Sequence, residues 1–325
     1  MTDFWKEEPD IAEGLEAVTE LIHKQAKGAS PYIASYLEGM VSAGGKMLRP
    51  ALVLIGSFLG NTKHQGLVYE RAALLEMIHI ASLIHDDIID SASTRRGRPT
   101  LYRELGARRA VIAGDYVISR ALALVSSDRE GTEPAAAVSN AFCRLCDGEI
   151  VQDSEEWNFS ISRAHYLRRI AGKTAALFAL SPFIGAHQAG ADTPIQYKLH
   201  QIGYNIGMAF QIKDDILDMT GSQTTLGKPA GRDLRSGVCT LPVIYALQLD
   251  QTGSLMHKLS GRHSLSARKA QKIIQQVIHL GGVKKAEAAA TAYSLRASRL
   301  IEQLPDTRTA AVLHRMMERL HMRNH

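Results

Sequence analysis

Two acidic clusters of the same pattern stand out in this chain, Asp86-Asp87-Ile88-Ile89-Asp90 and Asp214-Asp215-Ile216-Leu217-Asp218. On an α-helix the first and fifth positions of such a cluster fall about 40° apart and the second about 100° away, so three carboxylates crowd one side. Carboxylates at such short distances repel each other unless a cation neutralises their charge. One such cluster is often a solvated helix end, but two indicate a divalent metal site, with Mg²⁺ favoured where phosphates complete its coordination.

Cationic residues lie near the first cluster in the sequence. Arg95 and Arg96 follow it directly, and Lys46 and Arg49 lie in an upstream turn that begins with two glycines. Guanidinium groups bind phosphate oxygens through paired hydrogen bonds. Because the net charge of the chain is only +5, these cations indicate a small polyanionic ligand rather than nucleic acid.

Further polar residues share a helical face with each cluster. His79 and Ser82 fall about 20° and 40° from Asp86 on a helical wheel, and Gln211 falls about 60° from Asp214. A lone histidine on such a face is more often a satisfied core residue than a ligand contact. The wheel therefore nominates these residues without assigning them a role.

Apolar residues recur at helical spacing through nearly the whole chain, while alternating strand patterns are scarce. The sequence therefore predicts an all-α fold. Gly, Pro and Asp interrupt the helical period, which predicts short turns at residues 44–45, 60–61, 96–99, 127–131, 190–192, 227–229 and 261–263. No long flexible stretch separates the two clusters. We expect one domain over residues 1–325, with both clusters facing a shared cavity.

Composition limits the class of protein further. The 325 residues are 45% hydrophobic, yet no stretch approaches the roughly 18 apolar residues of a membrane span. The first residues lack the layout of a signal peptide, so we expect a cytoplasmic protein. Cys143 and Cys146 form a CxxC pair without a second pair for zinc, and we expect them to be buried helical thiols.

An ordered set of motifs resembles that of the trans-isoprenyl diphosphate (polyprenyl) synthases. In chain order the motifs are Gly44-Gly45-Lys46 to Arg49-Pro50, His85-Asp86 to Asp90, Arg95-Arg96-Gly97 to Pro99-Thr100, Gly148-Glu149 to Gln152, Lys173-Thr174, Phe210-Gln211 to Asp218 and Gly227-Lys228-Pro229. As an ordered set these motifs are highly specific for that family. One departure is Val238, which follows Gly237 where the family commonly has Asn or Lys, and this bears on a further phosphate contact.

The resemblance implies a helical bundle of the isoprenoid synthase type and a role for each matched residue. Isopentenyl diphosphate would be held by Lys46, Arg49, His79 and Arg96. The Mg²⁺ ligands would be Asp86, Asp90, Asp214 and Asp218. The allylic diphosphate would be held by Arg95, Lys173 and Lys228. The catalytic set would be completed by Asp87, Asp215, Thr174 and Gln211.

The reaction that the resemblance implies is ionisation of an allylic diphosphate, attack by the double bond of isopentenyl diphosphate, and loss of a proton. The departing diphosphate would accept that proton, so no protein nucleophile is needed. Mg²⁺ and cationic side chains would stabilise the leaving group, in a pocket that excludes water. The enzyme would act as a homodimer or as a heterodimer with a small subunit.

Product length depends, in the family, on the fourth and fifth residues before the first cluster, which are Ser82 and Ala81 here. Bulky aromatic residues there close the cavity for the growing tail, whereas small ones leave it open. We therefore expect a medium to long product, like those of hexaprenyl and heptaprenyl synthases. A geranylgeranyl diphosphate synthase is the alternative.

Three other classes share parts of this pattern. A class I terpene cyclase usually carries a second metal motif of the Asn/Ser/Glu type, whereas Asp218 completes a second DDxxD here. A helical HD-type phosphohydrolase could use His79 and His85-Asp86 but gives the second cluster no role. A non-catalytic regulatory subunit would not need two intact clusters.

Overall fold

The computed structural model describes residues 3–42, 45–61, 65–126, 133–221 and 231–321. Within these ranges helices dominate, which confirms the predicted all-α fold. A 3₁₀ turn (Asp3–Trp5), a π-helical turn (Ala171–Ala175) and two short strands, β1 (Thr94–Arg95) and β2 (Arg98–Pro99), interrupt them. The helices are α1 Pro9–Ala26, α2 Pro31–Ser42, α3 Leu48–Ser57, α4 Gln65–Ile89, α5 Leu101–Leu105, α6 Ala107–Ser126, α7 Glu133–Ser154, α8 Arg163–Ile170, α9 Ala176–Gln188, α10 Thr193–Thr220, α11 Arg232–Arg235, α12 Leu241–Leu249, α13 Ser254–Leu259, α14 Ala267–His279, α15 Gly282–Ile301 and α16 Thr307–His321.

Several helices begin at residues that favour a helix start. Pro9 and Pro31 are the first residues of α1 and α2, where a missing N–H costs no helical hydrogen bond. Ser162 and Ser266 precede α8 and α14, and each hydroxyl accepts a hydrogen bond from the backbone N–H three residues on. The predicted breaks at residues 60–61, 190–192 and 261–263 fall between helices, whereas Gly44 and residues 127–131 and 227–229 lie outside the described ranges.

The chain forms two compact units. Unit 1 comprises Met1–Ser139, Leu180–His200 and Leu304–Leu313. Unit 2 comprises Asn140–Ala179, Gln201–Gln303 and His314–His325. The first acidic cluster belongs to unit 1 and the second to unit 2, and the predicted single domain over residues 1–325 stays a prediction.

Helix α4 is central to unit 1. It packs against α1, α3 and α6, and every residue from 71 to 78 is buried, so this part of the helix is covered on all sides. On α9, Gly185 lies so close to α3 that a Cβ there would collide with the carbonyl oxygen of Val53. This packing fixes the C-terminal end of α4, where the first acidic cluster lies.

Unit 2 has its own apolar core, drawn from α8, α10, α12 and α14. Its buried residues include Tyr166, Ile212, Leu241, Ile244 and Ile273. Helix α12 also packs closely against α15. The core therefore holds the end of α10 that carries the second acidic cluster.

The outer surface of α7 corrects one prediction. Cys143 is exposed and Cys146 partly exposed, so their predicted burial is wrong, although both lie on a helix as expected. Residues three apart share a helical face, and here that face points outward.

In the described part of the chain, no helix has the length and apolar character that crossing a membrane requires.

Candidate active site

The first acidic cluster lies at the C-terminal end of α4. Asp86 is partly exposed and Asp90 exposed, whereas the side chain of Asp87 is only 2% exposed. The helix ends directly after the cluster, where Ser91 has a φ of 49° and Ala92 donates its backbone N–H to the carbonyl oxygen of Asp87. The outer carboxylates therefore reach the surface, and the middle one points into the protein.

A short hairpin returns the following arginines to this cluster. Strands β1 and β2 pair antiparallel, and the turn residues Arg96 and Gly97 have φ of 50° and 77°. Turns with two positive φ values match the twist of paired strands. Arg95 Nε donates a hydrogen bond of 2.8 Å to Asp87 Oδ1. The hairpin therefore places Arg95 on the buried carboxylate.

Tyr36 of α2 is a second neighbour of Asp87. Burial raises the pKa of the Tyr36 phenol, and the negative charge of Asp87 raises it further. With Arg95 hydrogen-bonded to Asp87 Oδ1 and the Tyr36 phenol nearby, Asp87 is suited to fixing the end of α4.

Arg49 and Arg96 form a cationic group around the buried Glu76, and His79 lies beside them. Burial lowers the pKa of Arg49 to about 10, the charge of Glu76 opposes this, and the charge of Arg96 lowers it further. Burial also lowers the pKa of His79 well below its usual value, as do the charges of Arg49, Arg96 and Arg95. The imidazole is therefore neutral, and the two arginines carry the positive charge. This combination suits an anionic ligand such as a diphosphate.

Lys46 lies beside this group, in the segment that precedes α3. Its Nζ is 4.5 Å from the centroid of the Phe4 ring, and its carbonyl oxygen accepts a hydrogen bond of 2.6 Å from Trp5 Nε1. The guanidinium of Arg96 lies against Gly45, so close that a Cβ there would collide with it. The predicted isopentenyl residues Lys46 and Arg96 therefore lie near each other.

The second acidic cluster, near the end of α10, repeats the arrangement of the first. Asp214 is exposed and Asp218 partly exposed, while Asp215 is 5% exposed. Tyr166 Oη donates to Asp215 Oδ2 over 2.6 Å, and Gln211 Nε2 donates to Asp215 Oδ1 over 2.8 Å. In both clusters the middle carboxylate is buried and accepts hydrogen bonds from protein donors, whereas the outer two are exposed or partly exposed.

Thr174 extends this hydrogen-bond network. Its Oγ1 donates to Gln211 Oε1 over 2.6 Å. Because Gln211 accepts from Thr174 and donates to Asp215, its amide is fixed in one orientation. Thr174 belongs to the π-helical turn, a distortion that is frequent at functional sites. Two hydrogen bonds therefore link the predicted residues Thr174, Gln211 and Asp215 in a chain, with Gln211 in the middle.

Asp233 joins the second cluster although the predicted site residues did not include it. Asp218 accepts backbone N–H bonds of 3.1 Å from Arg232 and 3.2 Å from Asp233, and so caps α11. Burial raises the pKa of Asp233, and the charges of Asp218 and Asp214 raise it further. In the sequence, its only signal was an acidic residue shortly after Gly227-Lys228-Pro229.

Lys173 lies at the edge of this acidic group. Its Nζ donates a hydrogen bond of 2.7 Å to Glu149 Oε2 of α7. Helix α7 approaches the π-helical turn closely because Gly148 and Gly172 carry no side chain at the crossing. The positive charge of Lys173 opposes the rise in the pKa of Asp233, which places the ammonium near the carboxylates.

Two positions of the family pattern fall around the segment between α10 and α11. Lys228, predicted to hold the allylic diphosphate, lies outside the described residues. Val238, where the sequence departs from the pattern, donates its backbone N–H to the carbonyl oxygen of Asp233 over 2.8 Å. Any residue except proline can make that bond, so the departure leaves the loop around Asp233 intact.

The two residues predicted to set product length are buried in α4. Ala81 is 0% exposed and Ser82 is 9% exposed. Ser82 Oγ donates to the carbonyl oxygen of His79 over 2.8 Å, a bond within the helix. Both side chains are small, as the prediction requires, and their role in product length stays a prediction.

The carboxylates fit a hard divalent cation. Burial and neighbouring carboxylate charge raise the pKa values of Asp218 and Asp233, and a cation would relieve that repulsion. Among the described residues, no three His, Cys, Asp or Glu side chains are arranged to enclose a metal. Mg²⁺ does not need such a cage, because one or two carboxylates with substrate phosphates and water satisfy it.

Replacing Tyr166 by phenylalanine is expected to destabilise unit 2. The change leaves one buried oxygen of Asp215 without its donor, so the free energy of unfolding should fall by about 1 to 3 kcal/mol. Chemical denaturation followed by circular dichroism measures the change. Tyr293→Phe on α15, where the tyrosine is partly exposed, is the matched control. Equal losses in the two variants would contradict the role given to the Tyr166 hydroxyl.

Comparison with known proteins gives a consistent result. The family model for polyprenyl synthetase matches residues 30–278. The chain is 35% identical over 297 residues to heptaprenyl diphosphate synthase component 2 from Geobacillus stearothermophilus, with 91% of each protein covered. Its structure resembles heptaprenyl diphosphate synthase from Staphylococcus aureus, with a TM-score of 0.91, 30% identity and coverage of 97% of this chain and 99% of that one. Geranylgeranyl pyrophosphate synthase from Lactobacillus brevis gives a TM-score of 0.91, with 31% identity and 98% of each chain covered.

The matched residues include both acidic clusters, the cationic group around Glu76, the π-helical turn and Asp233. Members of the matched family transfer prenyl groups. The family model covers most of the chain, and within each unit the structure brings matched residues into contact. This chain therefore belongs to the polyprenyl synthetase family of prenyltransferases.

Proposed function

We propose that this chain elongates an allylic diphosphate with isopentenyl diphosphate to an all-trans polyprenyl diphosphate. The observation that supports this most directly is the repeated acidic cluster. In each copy the buried middle carboxylate is held by protein donors, at Asp87 by Arg95 and at Asp215 by Tyr166 and Gln211. The outer carboxylates of each copy are exposed or partly exposed, where a metal diphosphate would bind.

The cationic residues divide between the two substrates. Isopentenyl diphosphate would bind to Lys46, Arg49, His79 and Arg96. The closeness of Arg96 to Gly45 and its charge effect on Arg49 support this grouping. The allylic diphosphate would bind to Arg95, Lys173 and Lys228. For Lys173, the nearby charge of Asp233 supports a position beside the metal ligands.

We propose Mg²⁺ as the divalent metal that the family needs. The ligands would be Asp86, Asp90, Asp214 and Asp218. When bound, the metal neutralises charge on the leaving diphosphate. Asp233 would contribute by orienting Asp218, because its backbone N–H donates to that carboxylate.

The side chains described above suit an ionisation and condensation. The allylic C–O bond breaks, and its electron pair leaves with the diphosphate, whose charge Lys173 helps to stabilise. The double bond of isopentenyl diphosphate then forms the new C–C bond, and the proton that is lost passes to the released diphosphate. Oxygens of Thr174 and Gln211 would stabilise the allylic cation, and Asp215 would hold Gln211 in place through their bond of 2.8 Å.

We propose a product of medium to long chain length. Two of the matched relatives are heptaprenyl diphosphate synthases, and Ala81 and Ser82 are small. Geranylgeranyl diphosphate is the alternative, because the Lactobacillus brevis geranylgeranyl pyrophosphate synthase is as similar in structure. Product analysis decides between the two.

We propose that the chain works with a partner subunit, either a second copy or a different small subunit. The Geobacillus relative is named as component 2, which supports a heterodimer for that protein. On α6 the exposed side chains of Val111 and Ile112 offer apolar surface for a partner.

A single domain is supported by the helices α7, α9, α10 and α16, each of which contributes residues to both units. The cytoplasmic location and the cavity shared by the two clusters stay predictions.

Replacing Arg96 by lysine is expected to raise the Michaelis constant for isopentenyl diphosphate roughly tenfold, because lysine keeps the charge but loses the paired hydrogen bonds. Initial rates measured while each substrate is varied in turn check this. Arg98→Lys, in the same hairpin, is the matched control. An increase confined to the Michaelis constant of the allylic substrate would show that the two sites are exchanged.

Incubation with radiolabelled isopentenyl diphosphate and farnesyl diphosphate, followed by chromatography, separates the candidate classes. Elongation predicts a labelled polyprenyl diphosphate. A terpene cyclase would instead release an unlabelled cyclic hydrocarbon, and a phosphohydrolase would release phosphate without forming a C–C bond. A regulatory subunit would give no turnover alone but would raise the turnover of a catalytic partner.

A further inference from the structure

An aromatic turn at the start of the chain is built against the proposed isopentenyl site. The aromatic turn consists of Phe4 and Trp5, within the 3₁₀ turn that precedes α1. Trp5 is 0% exposed, and its ring packs edge-on against Phe4 at 4.9 Å between centroids. Glu8 donates its backbone N–H to the carbonyl oxygen of Trp5 over 2.9 Å. The turn is therefore anchored to the body of unit 1.

Both aromatic residues contact Lys46, about forty positions further along the chain. The indole N–H of Trp5 donates to the backbone carbonyl oxygen of Lys46 over 2.6 Å, a short bond for a nitrogen donor. The ring of Phe4 lies 4.5 Å from Lys46 Nζ, within the range of a cation–π interaction. One residue thus holds the backbone of Lys46, and the other holds its ammonium.

Lys46 needs such support because of where it lies. It precedes α3 in a segment without helical or strand structure, and the next residue, Met47, has a left-handed backbone with φ of 45°. A lysine side chain on a loop loses much conformational freedom when it binds a phosphate. Contacts that hold the side chain near its bound position lower that cost.

We propose that Phe4 and Trp5 are positioning residues for isopentenyl diphosphate, acting through Lys46. The inference depends on the proposed function, because it takes Lys46 as a ligand of that substrate. Neither aromatic residue is required to touch the substrate. Trp5 holds the Lys46 backbone through its hydrogen bond, and Phe4 holds the Lys46 ammonium through the cation–π contact.

Kinetics separates a positioning role from a purely structural one. The parent is Trp157→Phe, which leaves Trp5 as the only tryptophan because the chain has two. In that parent, Trp5→Phe removes the indole donor and Phe4→Leu removes the ring. Each change is expected to raise the Michaelis constant for isopentenyl diphosphate by about five- to tenfold, because it removes one buried hydrogen bond or one cation–π contact. The Michaelis constant for farnesyl diphosphate should change less than twofold, and Phe4→Tyr, which keeps the ring, should restore the parent value.

A binding measurement provides a readout that does not need turnover. Isopentenyl diphosphate added to the parent without an allylic primer should change the emission of Trp5. Phe4→Leu should weaken the binding seen in this titration by the same factor as it raises the Michaelis constant. Thermal unfolding followed by circular dichroism identifies any variant that fails to fold.

The outcomes are distinct. If the unsubstituted protein, assayed with any partner subunit it requires, does not incorporate labelled isopentenyl diphosphate, the proposed function fails, and this inference fails with it. If the parent is active but folded variants show unchanged or equally raised Michaelis constants for both substrates, only the positioning role is overturned. A selective effect on isopentenyl diphosphate, rescued by Phe4→Tyr, supports it.

Discussion

Asp86→Ala and Asp214→Ala are each expected to lower turnover by about a hundredfold or more, because each removes a carboxylate that would hold the divalent metal, and the metal would neutralise charge on the leaving diphosphate. Both residues reach the surface of the protein, and neither is the buried member of its cluster. The fold should therefore survive the change, and circular dichroism should show unaltered helix content. Initial rates at saturating concentrations of both substrates measure the loss.

Two control variants sharpen this prediction. Asp153→Ala removes an exposed carboxylate near the end of α7 and should leave turnover unchanged. Asp215→Asn acts on the buried carboxylate that Tyr166 and Gln211 hold, so it should lower stability as well as turnover. Near-normal turnover of a folded Asp86→Ala or Asp214→Ala protein would contradict the assignment of the two clusters as metal ligands.

Ala81→Phe is expected to shorten the product toward farnesyl or geranylgeranyl diphosphate, because the larger side chain would fill the space for the growing tail. Mass spectrometry of the extracted products measures the shift. Ala81 is 0% exposed, so the same change should also cost about 1 to 3 kcal/mol of stability through overpacking. The product distribution must therefore be compared at a temperature at which both proteins are folded.

Ser82→Phe is the matched comparison for that variant. Ser82 keeps 9% exposure and shares the helical face of Asp86, so it tests whether the next position lies closer to the tail. A folded Ala81→Phe protein with an unchanged product, beside a Ser82→Phe protein with a shortened one, would move the product-length position to Ser82. Unchanged products in both would contradict the prediction for this part of α4.

Much of the fold and of the site could be predicted because the signals are local. Helical periodicity predicts the helices, including the two that carry the acidic clusters. The resemblance also groups residues that the structure brings together, such as Thr174 and Gln211, which share a hydrogen bond. Residues of fixed spacing on one helix keep their relation whatever packs around them, so such inferences carry over into the fold.

Other features depend on tertiary packing and left no local signal. A helical wheel places Asp87 and Asp215 beside their clusters, but only packing shows that Arg95 and Tyr166 bury them. Tyr166 joins the second cluster from a position 49 residues before Asp215 in the sequence. Cys143 follows Ala141 and Phe142 in the sequence, yet its helical face points outward.

The central claim is that this chain adds isopentenyl units to an allylic diphosphate with a divalent metal. It is tested most directly by mass spectrometry of the products formed from farnesyl diphosphate and isopentenyl diphosphate, with Mg²⁺ and with a chelator. With Mg²⁺ we expect polyprenyl diphosphates that extend past geranylgeranyl diphosphate, and with the chelator none. The protein is assayed with any partner subunit it requires. In the presence of Mg²⁺, a cyclised hydrocarbon or unchanged farnesyl diphosphate would contradict the claim.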